Sequence, residues 1–572
     1  MNLKKVLNMK KYIFIISIIL FTSYGCDNLL ETKDLLNKNE QNYPATEADV
    51  QSSLAGIYEK MAVVDWNEMF IGTLVSDETF GGGGPDDTES AAVDQLKKNN
   101  ENMLSATWSN YYSGIYRANK LVENIGNVKK LTNATKNQAL GEAYFMRAWF
   151  HFNLAHLFGQ IPLCTTSESL IRPKASVDEL YGQIALDLKN AIDSFPTTSF
   201  TAMPTTNLGH ANRWAAEGLL ARVYLFYTGY YQKNELPLAG GGVITKAQAI
   251  TYLEDCINNS GHALAADFRT LWPYTNKYTV EDYPYTAGKG LKWLGEEGLN
   301  KETVFATKFG NIADYDYFPS GMNKLNTAYS NRGQSLQRNT FPFGAGWGQG
   351  TVNSRMIEQW KTEEPNDPRI TMSIVNVKDP IEGIVKYEEN GWGQMNETHN
   401  FIKKYTTIMA WKNKATKTVY PSYTNILYGS AEANYIRESQ DLVLLRYSDI
   451  LLMHSELTET NTGLNKVRAR VGLPAITYSL DALQKERRHE LVFEGVRYFD
   501  LLRWYRKDAG AILQDNQQGV AVLNSNVAAT MNFQIQVRMN ATGGFFPIPA
   551  SEISLSKGIL VQNEGWGSDA SL

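Results

Sequence analysis

Glu-Arg-Arg-His-Glu-Leu-Val-Phe-Glu-Gly-Val-Arg-Tyr-Phe-Asp-Leu-Leu-Arg-Trp-Tyr-Arg, residues 486–506, is the most informative stretch of this chain. It contains no proline and a single glycine, Gly495, so it predicts one long helix. Apolar side chains occur on every side of that helix, as is typical of a buried one.

Charged side chains are spread along the same stretch, and burial would cost several kcal/mol for each one left unpaired. The spacing offers each acid a cation within one helical turn, which favours structural ion pairs over a pair of catalytic carboxylates. The predicted pairs are Arg487 with Glu490, Glu494 with Arg497, and Asp500 with Arg503.

Composition places the chain among globular proteins that do not bind nucleic acid. It has 572 residues, 43% hydrophobic and 20% charged, with 12% aromatic residues and a net charge of −5. Without basic runs, an acidic chain is a poor match for nucleic acid or for anionic lipid headgroups. Of the three cysteines, Cys164 and Cys256 are expected to be free thiols, with a disulfide between them as the alternative.

The N-terminus has the pattern of a secretory signal. Four lysines precede the apolar run Tyr12–Phe21, which is too short to span a bilayer. Small residues then lead to a cysteine in Ser23-Tyr24-Gly25-Cys26, which resembles a bacterial lipobox. An ordinary signal peptide with a chance cysteine is the alternative.

Helical periodicity dominates the rest of the chain, and small residues alternate with large aromatic ones as close helix packing requires. We therefore predict a mainly α fold: a tetratricopeptide-like helical-repeat scaffold with a loop-rich, ligand-binding portion. Residues 233–347, rich in glycine, proline and tyrosine, are predicted to form loops and short strands. The predicted helices are Val50–Ala62 (with Thr46 and Asp49 as a capping box), Met103–Ile125, Ala134–Phe158, Val177–Ile192, Asn212–Tyr230, Leu442–Glu459, Gly463–Val471 and Leu483–Arg506.

Several ordered blocks resemble the SusD/RagB family of outer-membrane nutrient-binding lipoproteins of Bacteroidetes. The resemblance extends from Cys26 to Trp566, and residues 486–506 resemble the family's C-terminal signature. The further blocks are residues 142–163, similar to "ARFLRAY…LFGDVPL"; 216–225, similar to "ALLARVYL"; 445–453, similar to "LRYAEVLLMYAE"; 465–474, similar to "LNKVRARAGLP"; and 546–552 with Gln562-Asn563, similar to "FPIPQSEI…QNPGY".

This resemblance implies a function and a place in the cell. A lipid on Cys26 would anchor the protein in the outer membrane, and the chain would bind an oligosaccharide or polysaccharide without catalysis. Its partner would be a SusC-like TonB-dependent barrel, over which it acts as a lid. Two acids after Cys26, Asp27 and Glu31, fall short of the acidic run that surface lipoproteins of this group often carry. The expected divisions are a signal peptide at 1–25, an N-terminal helical region at 26–232, a loop-rich insert at 233–350 and a C-terminal region at 351–572.

The sequence contains no complete motif for hydrolysis, phosphate binding or zinc. His151 and His156 are five residues apart and are expected to be packing or capping residues. Gly81–Gly84 precedes acids that would repel phosphate, so it is predicted to be a flexible loop. No cofactor is expected, although Asp314 and Asp316 leave a structural Ca²⁺ open.

Loop aromatics are the candidate ligand contacts, because a flat ring covers the apolar face of a sugar and nearby polar groups bind its edges. Trp108, Trp149, Trp214, Trp360 and Trp504 lie in helical patterns and are expected in the core. Two loop regions stand out among the others, which are Trp66, Trp272, Trp293, Trp347, Trp392, Trp411 and Trp566. Polar neighbours surround the first region and glycines the second, which gives the candidates Asp65, Trp66, Asn67, Asp77, Asp86 and Trp347.

Three other functions remain open at this point. Some relatives serve peptide uptake, so a peptide ligand is one alternative. A surface glycoside hydrolase is the second, since any two carboxylates can meet in space. An adhesin without a role in uptake is the third.

Overall fold

A computed structural model describes residues 43–62, 68–98, 102–203, 208–296, 300–309, 323–389, 391–427, 438 and 440–567. Within these residues the chain is mainly helical, as predicted. The α-helices are α1 Glu47–Ala62, α2 Glu68–Leu74, α3 Thr88–Asp94, α4 Asn102–Asn124, α5 Asn133–Phe158, α6 Val177–Ser194, α7 Arg213–Tyr230, α8 Lys246–Asn259, α9 Leu325–Tyr329, α10 Ser354–Glu363, α11 Arg369–Ser373, α12 Thr424–Leu427, α13 Tyr447–Thr458, α14 Thr462–Arg470, α15 Leu480–Glu490, α16 Arg497–Tyr505, α17 Ala509–Gln517, α18 Ile535–Thr542 and α19 Ala550–Leu555.

The β-structure consists of short strands in two-stranded sheets that connect the helical layers. Most pairs are antiparallel, and β5 with β6 is parallel. In the described part of the chain the strands are β1 Thr79–Gly82, β2 Leu236–Pro237, β3 Val243–Ile244, β4 Thr303–Thr307, β5 Asn331–Arg332, β6 Ala345–Gly346, β7 Gln349–Val352, β8 Ile374–Asn376, β9 Asn400–Ile402, β10 Ala410–Asn413, β11 Thr418–Tyr420, β12 Leu442–Arg446, β13 Ala521–Asn524 and β14 Val527–Thr530.

Consecutive helices pack against one another in the scaffold, α4 on α5, α5 on α6 and α6 on α7. Glycines allow the close approach: a Cβ on Gly114 would collide with the ring of Phe150. The predicted capping box is confirmed, because Asp49 N–H donates to Thr46 Oγ1 at 3.2 Å while Thr46 N–H donates to Asp49 Oδ2 at 3.0 Å. His151 and His156 are buried, as expected of packing residues.

Residues 486–506 are not one helix, which corrects the sequence-based prediction. Helix α15 ends at Glu490 and α16 begins at Arg497, and between them Phe493 and Gly495 adopt positive φ of 66° and 73°. The break lets Phe493 N–H donate to Glu78 Oε2 at 2.9 Å. A side chain at Gly495 would lie 2.5 Å from the Cα of Met69, so glycine is required where the break packs against α2.

The charges of this stretch are buried and paired, but mostly with distant segments. Asp500 contacts Arg503 at 2.8 Å, as predicted from spacing. Glu490 instead contacts Arg446 at 2.9 Å and Arg369 at 3.1 Å, and it also pairs with Arg470. Burial opposes the ionisation of Glu490, yet these guanidinium groups outweigh it and hold its pKa well below the usual range.

Three further local predictions need correction. Residues 442–446, predicted to be helical, form strand β12, which pairs with β4 in an antiparallel sheet. Helix α13 begins directly after this strand, at Tyr447. The loop-rich region contains a full helix, α8, capped by Thr245 and Gln248. Gly81 and Gly82 belong to the buried strand β1, where any side chain would collide with neighbouring backbone, so the segment is not a flexible loop.

Both cysteines in the described residues are free, which confirms the expected thiols at Cys164 and Cys256. None of the helices described here combines the length and apolarity needed to cross a membrane.

Glu217, buried on α7, should make stability fall as the pH rises. Burial raises its pKa from the ordinary 4.5 to about 9 and Asp255 adds to the shift, while Arg213, whose Nε lies 2.9 Å from Glu217 Oε1, partly opposes it. The folded state therefore keeps a proton that the unfolded state releases above pH 4.5, so stability is lost between about pH 4.5 and 9. Glu217→Gln stays neutral and should raise the free energy of unfolding at pH 8 by about 2 kcal/mol or more, at about 1.4 kcal/mol per pKa unit.

Denaturant unfolding of the wild type and Glu217→Gln at pH 4.5 and pH 8 checks this expectation. The exposed Glu459→Gln is the control and should alter stability little at either pH. An equal effect of Glu217→Gln at both pH values would contradict the assignment.

Candidate functional site

Several sequence-predicted residues lie outside the described part of the chain. These are the lipidation candidate Cys26 and the aromatic-centred trio Asp65, Trp66 and Asn67. Asp314 and Asp316, where a Ca²⁺ was left open, lie outside it as well. The described residues contain no cluster of three or more His, Cys, Asp or Glu side chains arranged to hold a metal ion.

Asp77 is buried and is not presented to a surface ligand, contrary to the sequence-based expectation. Its carboxylate contacts Arg497 at 2.9 Å and Arg488 at 3.1 Å, and it accepts a hydrogen bond from Asn516 Nδ2 at 2.6 Å. Burial opposes its ionisation, but Arg488 and Arg497 lower its pKa well below the usual range. Asp77 therefore ties the α15–α16 region to the N-terminal segment.

The loop tryptophans separate by exposure. Trp272, Trp293 and Trp566 are buried in the core, and Trp411 is half-buried on the ring of Phe341, 4.4 Å between centroids. Trp347, a sequence-predicted candidate, is half-buried. Trp392 is the most exposed tryptophan among the described residues, with 58% of its surface accessible.

Trp392 forms an open aromatic platform. It stands in the short turn Gly391–Gly393 with φ of 45°. A Cβ on Gly333 would collide with three atoms of the indole at once, so one ring face lies against this glycine. With 58% of Trp392 accessible, much of the side chain away from Gly333 is exposed. We call the Trp392 indole and Gly333 the tryptophan platform.

Arg332 connects the platform to two sequence-predicted regions. Its Nε donates to the carbonyl oxygen of Trp392 at 3.3 Å, and its Nη1 donates to the carbonyl oxygen of Trp347 at 2.8 Å. The same Nη1 lies 3.3 Å from Asp87 Oδ2. The guanidinium group is thus occupied by the protein itself and fixes three segments at one place.

Strand β1 and the turn after it bring two acids to the platform. Asp87 accepts a hydrogen bond from Gly84 N–H at 2.6 Å. The side chain of its neighbour Asp86, another sequence-predicted candidate, is exposed and has no hydrogen-bond or ionic partner among the described residues. The structure therefore places Asp86 and Trp347 around the same platform, whereas Asp77 lies elsewhere.

Trp392 is not among the residues predicted from the sequence, although a local signal for it exists. Gly391-Trp392-Gly393 shows the same flanking glycines that pointed to Trp347 in Gly346-Trp347-Gly348. The sequence does not show which of these two tryptophans is exposed, because Gly333, which packs against the Trp392 indole, is 59 residues away along the chain. The geometry suits a ligand with an apolar ring face and hydroxyl edges, which an indole and the neighbouring polar groups can bind.

A second surface is larger but less suited to a ligand. A groove of about 530 Å³ is lined by Tyr58, Glu59, His210 and Lys308 among others. The hydroxyl of Tyr58 accepts a hydrogen bond from Ala211 N–H at 2.7 Å, and His210 contacts Glu142 at 2.7 Å. The polar groups of these two side chains are therefore engaged within the protein.

Family models match most of the chain in two segments. A model described as the SusD family matches residues 270–566. A model described as starch-binding associating with outer membrane matches residues 34–225.

Curated relatives match the whole chain or about half of it. The "SusD-like protein P2" of Formosa agariphila is 25% identical over 599 aligned residues, which include 98% of this chain and 100% of the relative. A "SusD-like protein" of Bacteroides ovatus is 25% identical over 280 residues, 48% of this chain and 49% of the relative.

Solved structures share the fold. A laminarin binding SusD-like protein superposes with a TM-score of 0.70 at 22% identity, covering 91% of this chain and 100% of that one. Surface glycan-binding protein A from Bacteroides thetaiotaomicron, in complex with laminarihexaose, gives a TM-score of 0.68 at 19% identity with the same coverage. A structure with a xylogluco-oligosaccharide gives 0.63 at 18% identity, covering 89% of this chain and 97% of that one.

Proposed function

This chain belongs to the SusD family, and from that membership we propose that it binds an oligosaccharide on the tryptophan platform. The single observation that carries the proposal is the exposure of Trp392, a large aromatic side chain with 58% of its surface accessible. Burying such a side chain against the C–H groups of a sugar ring is favourable. Similar structures named for laminarin or laminarihexaose support a glycan as the ligand class.

The second part of the proposal concerns uptake. A lipid on Cys26 anchors the chain to the outer membrane with its body at the cell surface, and a SusC-like TonB-dependent barrel receives the captured glycan. The family model described as associating with the outer membrane supports this location. Capture then needs binding and a hinge motion of the protein over the barrel, without covalent chemistry.

Binding without bond cleavage fits the carboxylates near the platform. A glycoside hydrolase needs two carboxyl groups on either side of the scissile bond. Asp87 is occupied by Gly84 N–H and Arg332, and Glu388 Oε2 accepts hydrogen bonds from Ser335 N–H and Oγ at 3.0 and 2.8 Å. Incubation with polysaccharides should release no reducing ends, and release that one carboxylate substitution abolishes would establish the hydrolase instead.

A glycan array followed by isothermal titration calorimetry tests the ligand class. The wild-type protein should bind one or more oligosaccharides, with laminarihexaose and xylogluco-oligosaccharides as the first probes. A peptide library is the opposing probe. Binding to peptides alone would contradict the glycan proposal.

Gly333→Ala should weaken glycan binding without unfolding the protein. The added methyl group occupies the space of the Trp392 indole and tilts the ring away from its present plane. Because Gly333 has no positive φ, alanine introduces no backbone strain there. Glycan affinity should fall by about tenfold, which corresponds to a loss of about 1–1.5 kcal/mol of binding free energy when the ring is displaced.

Titration calorimetry and thermal unfolding of Gly333→Ala check this result together. Gly126→Ala is the matched control, because a Cβ there meets nothing within 4 Å. Unchanged affinity in Gly333→Ala would show that the plane of the indole does not matter for the ligand.

A further inference from the structure

A short hairpin beside the platform has no evident structural purpose at its tip. Strands β13 and β14 pair through four residue pairs and are closed by Ser525 and Asn526. Val522 is buried, whereas the other residues of the two strands are exposed or half-buried. Val527, the first residue after the tip, is 67% exposed. Little of the hairpin contributes to the core, so its position needs another explanation.

The hairpin is nevertheless fixed firmly to the segment that carries Trp392. Leu523 and Glu397 exchange two backbone hydrogen bonds of 2.9 Å each. Ser525 N–H donates to the carbonyl oxygen of Gln394 at 2.8 Å, and Asn396 N–H donates to Asn524 Oδ1 at 2.9 Å. The hairpin therefore extends this segment like an added strand and has a defined place next to the platform.

The tip lies next to the turn that carries the indole. A Cβ on Gly393, the residue after Trp392, would lie 3.6 Å from Ser525 Oγ and 3.5 Å from Pro85 Cδ. Gly393 therefore lies between the hairpin tip and the Pro85–Asp86 turn. A ligand longer than one sugar ring that stacks on Trp392 can extend from the platform toward this tip.

The polar groups of the tip are available for a ligand. Asn526 is exposed, and its amide has no hydrogen-bond partner in the part of the chain that the structure describes. Within the described residues, Ser525 Oγ makes one weak hydrogen bond, to Met395 Sδ at 3.9 Å. Both residues have positive φ, 48° and 66°, as a type I′ turn requires. Glycine would adopt this backbone more easily than serine, yet the chain places a hydroxyl there.

The charge around the platform determines which sugars fit. Asp86 makes no ion pair among the described residues, Glu388 has Lys386 near enough to help lower its pKa, and Asp87 is paired with Arg332. Glu389 is paired with His399 at 2.7 Å and with Lys378 at 3.7 Å. These four carboxylates outnumber Arg332, Lys378 and Lys386, so the charge around the platform disfavours a sulfate or carboxylate on the ligand.

From these contacts we infer that the β13–β14 tip is a second binding element, in which Ser525 and Asn526 bind the hydroxyl groups of an uncharged sugar adjoining the one stacked on Trp392. The inference rests on the proposed function, and it names the hairpin tip as the element that selects which sugar may adjoin the stacked one. The amide of Asn526 offers both donors and an acceptor, so it can bind two neighbouring hydroxyl groups at once.

Replacing the tip by Gly-Gly, with Ser525→Gly and Asn526→Gly together, tests the inference directly. The double variant removes both polar side chains and keeps a turn that glycine favours, so the hairpin should remain folded. A glycan array of uncharged, sulfated and uronic oligosaccharides identifies the ligand to be used, with laminarihexaose as the first probe. Titration calorimetry then measures the affinity of each variant for that ligand. Affinity should fall by about tenfold, as for the loss of two hydrogen bonds.

Lys417→Gly is the matched control, because Lys417 also has a positive φ, of 53°, in the turn of another exposed hairpin. Its affinity should remain within about twofold of wild type. If the Gly-Gly variant also keeps wild-type affinity while Trp392→Ala loses binding, the hairpin inference is wrong and the proposed function stands. If Trp392→Ala keeps binding, the platform itself is wrong. Preferential binding of sulfated or uronic glycans, or no binding of any uncharged glycan, would overturn the inference as well.

Discussion

Trp392→Ala should lower glycan affinity by about 30-fold or more, which is the effect of removing a central aromatic contact. The indole is 58% exposed in the free protein, and a stacked sugar covers the face that Gly333 does not. Because the exposed ring contributes little to packing, the free energy of unfolding should change by less than about 1 kcal/mol. Titration calorimetry with the best array ligand measures the glycan affinity, and denaturant unfolding measures the free energy of unfolding.

Trp411→Ala is the control for this experiment. Trp411 is a half-buried loop tryptophan that stacks on Phe341 at 4.4 Å, so its removal should affect packing and leave glycan affinity unchanged. Similar losses of affinity in both variants would mean that neither tryptophan defines the site. Binding that survives in Trp392→Ala would place the ligand elsewhere.

Glu490→Gln should destabilise the protein by about 3–5 kcal/mol, the usual cost of breaking a buried ion pair from one side. Glu490 is fully buried, and its two oxygens contact Arg446, Arg470 and Arg369. Glutamine has the same shape, so no cavity forms, but three guanidinium groups lose a negative neighbour in a site that water cannot reach. Chemical denaturation of both proteins at pH 7 gives the difference.

Asp193→Asn provides the comparison at the surface. Asp193 pairs with Lys189 one helical turn away, at 2.5 Å, with both side chains largely exposed. Such pairs contribute about 0–1 kcal/mol, so this variant should remain close to wild type. A loss of stability in Glu490→Gln as small as that of Asp193→Asn would contradict the structural role assigned to the buried charges.

Local signals in the sequence were enough for the helical scaffold. Capping residues such as Thr46 and Asp49 and the apolar periodicity of α4 to α7 depend on neighbours within a few positions, and the structure confirms them. The break after Glu490 was missed because its cause, the fit of Gly495 against Met69, lies more than 400 residues away along the chain. The same limit applies to Glu490, whose partners come from three distant segments.

The sequence predicted what kind of surface to look for, but it predicted only some of the residues that form the proposed site. Glycine-flanked aromatics and nearby acids suggested a loop surface, and Asp86 and Trp347 belong to segments that adjoin the proposed platform. Asp77 looked equally polar in sequence, but its burial against Arg488 and Arg497 is a tertiary property. The glycines beside Trp392 are a local signal, but its packing against Gly333 is a tertiary contact that sequence spacing does not show.

A crystal structure of the protein with laminarihexaose, or with the best ligand from the array, tests the central proposal most directly. We expect a sugar ring stacked on the exposed part of the Trp392 indole, with the adjoining sugar close to Ser525 and Asn526. A glycan bound in the groove beside Tyr58 and His210, with the indole of Trp392 uncovered, would contradict it.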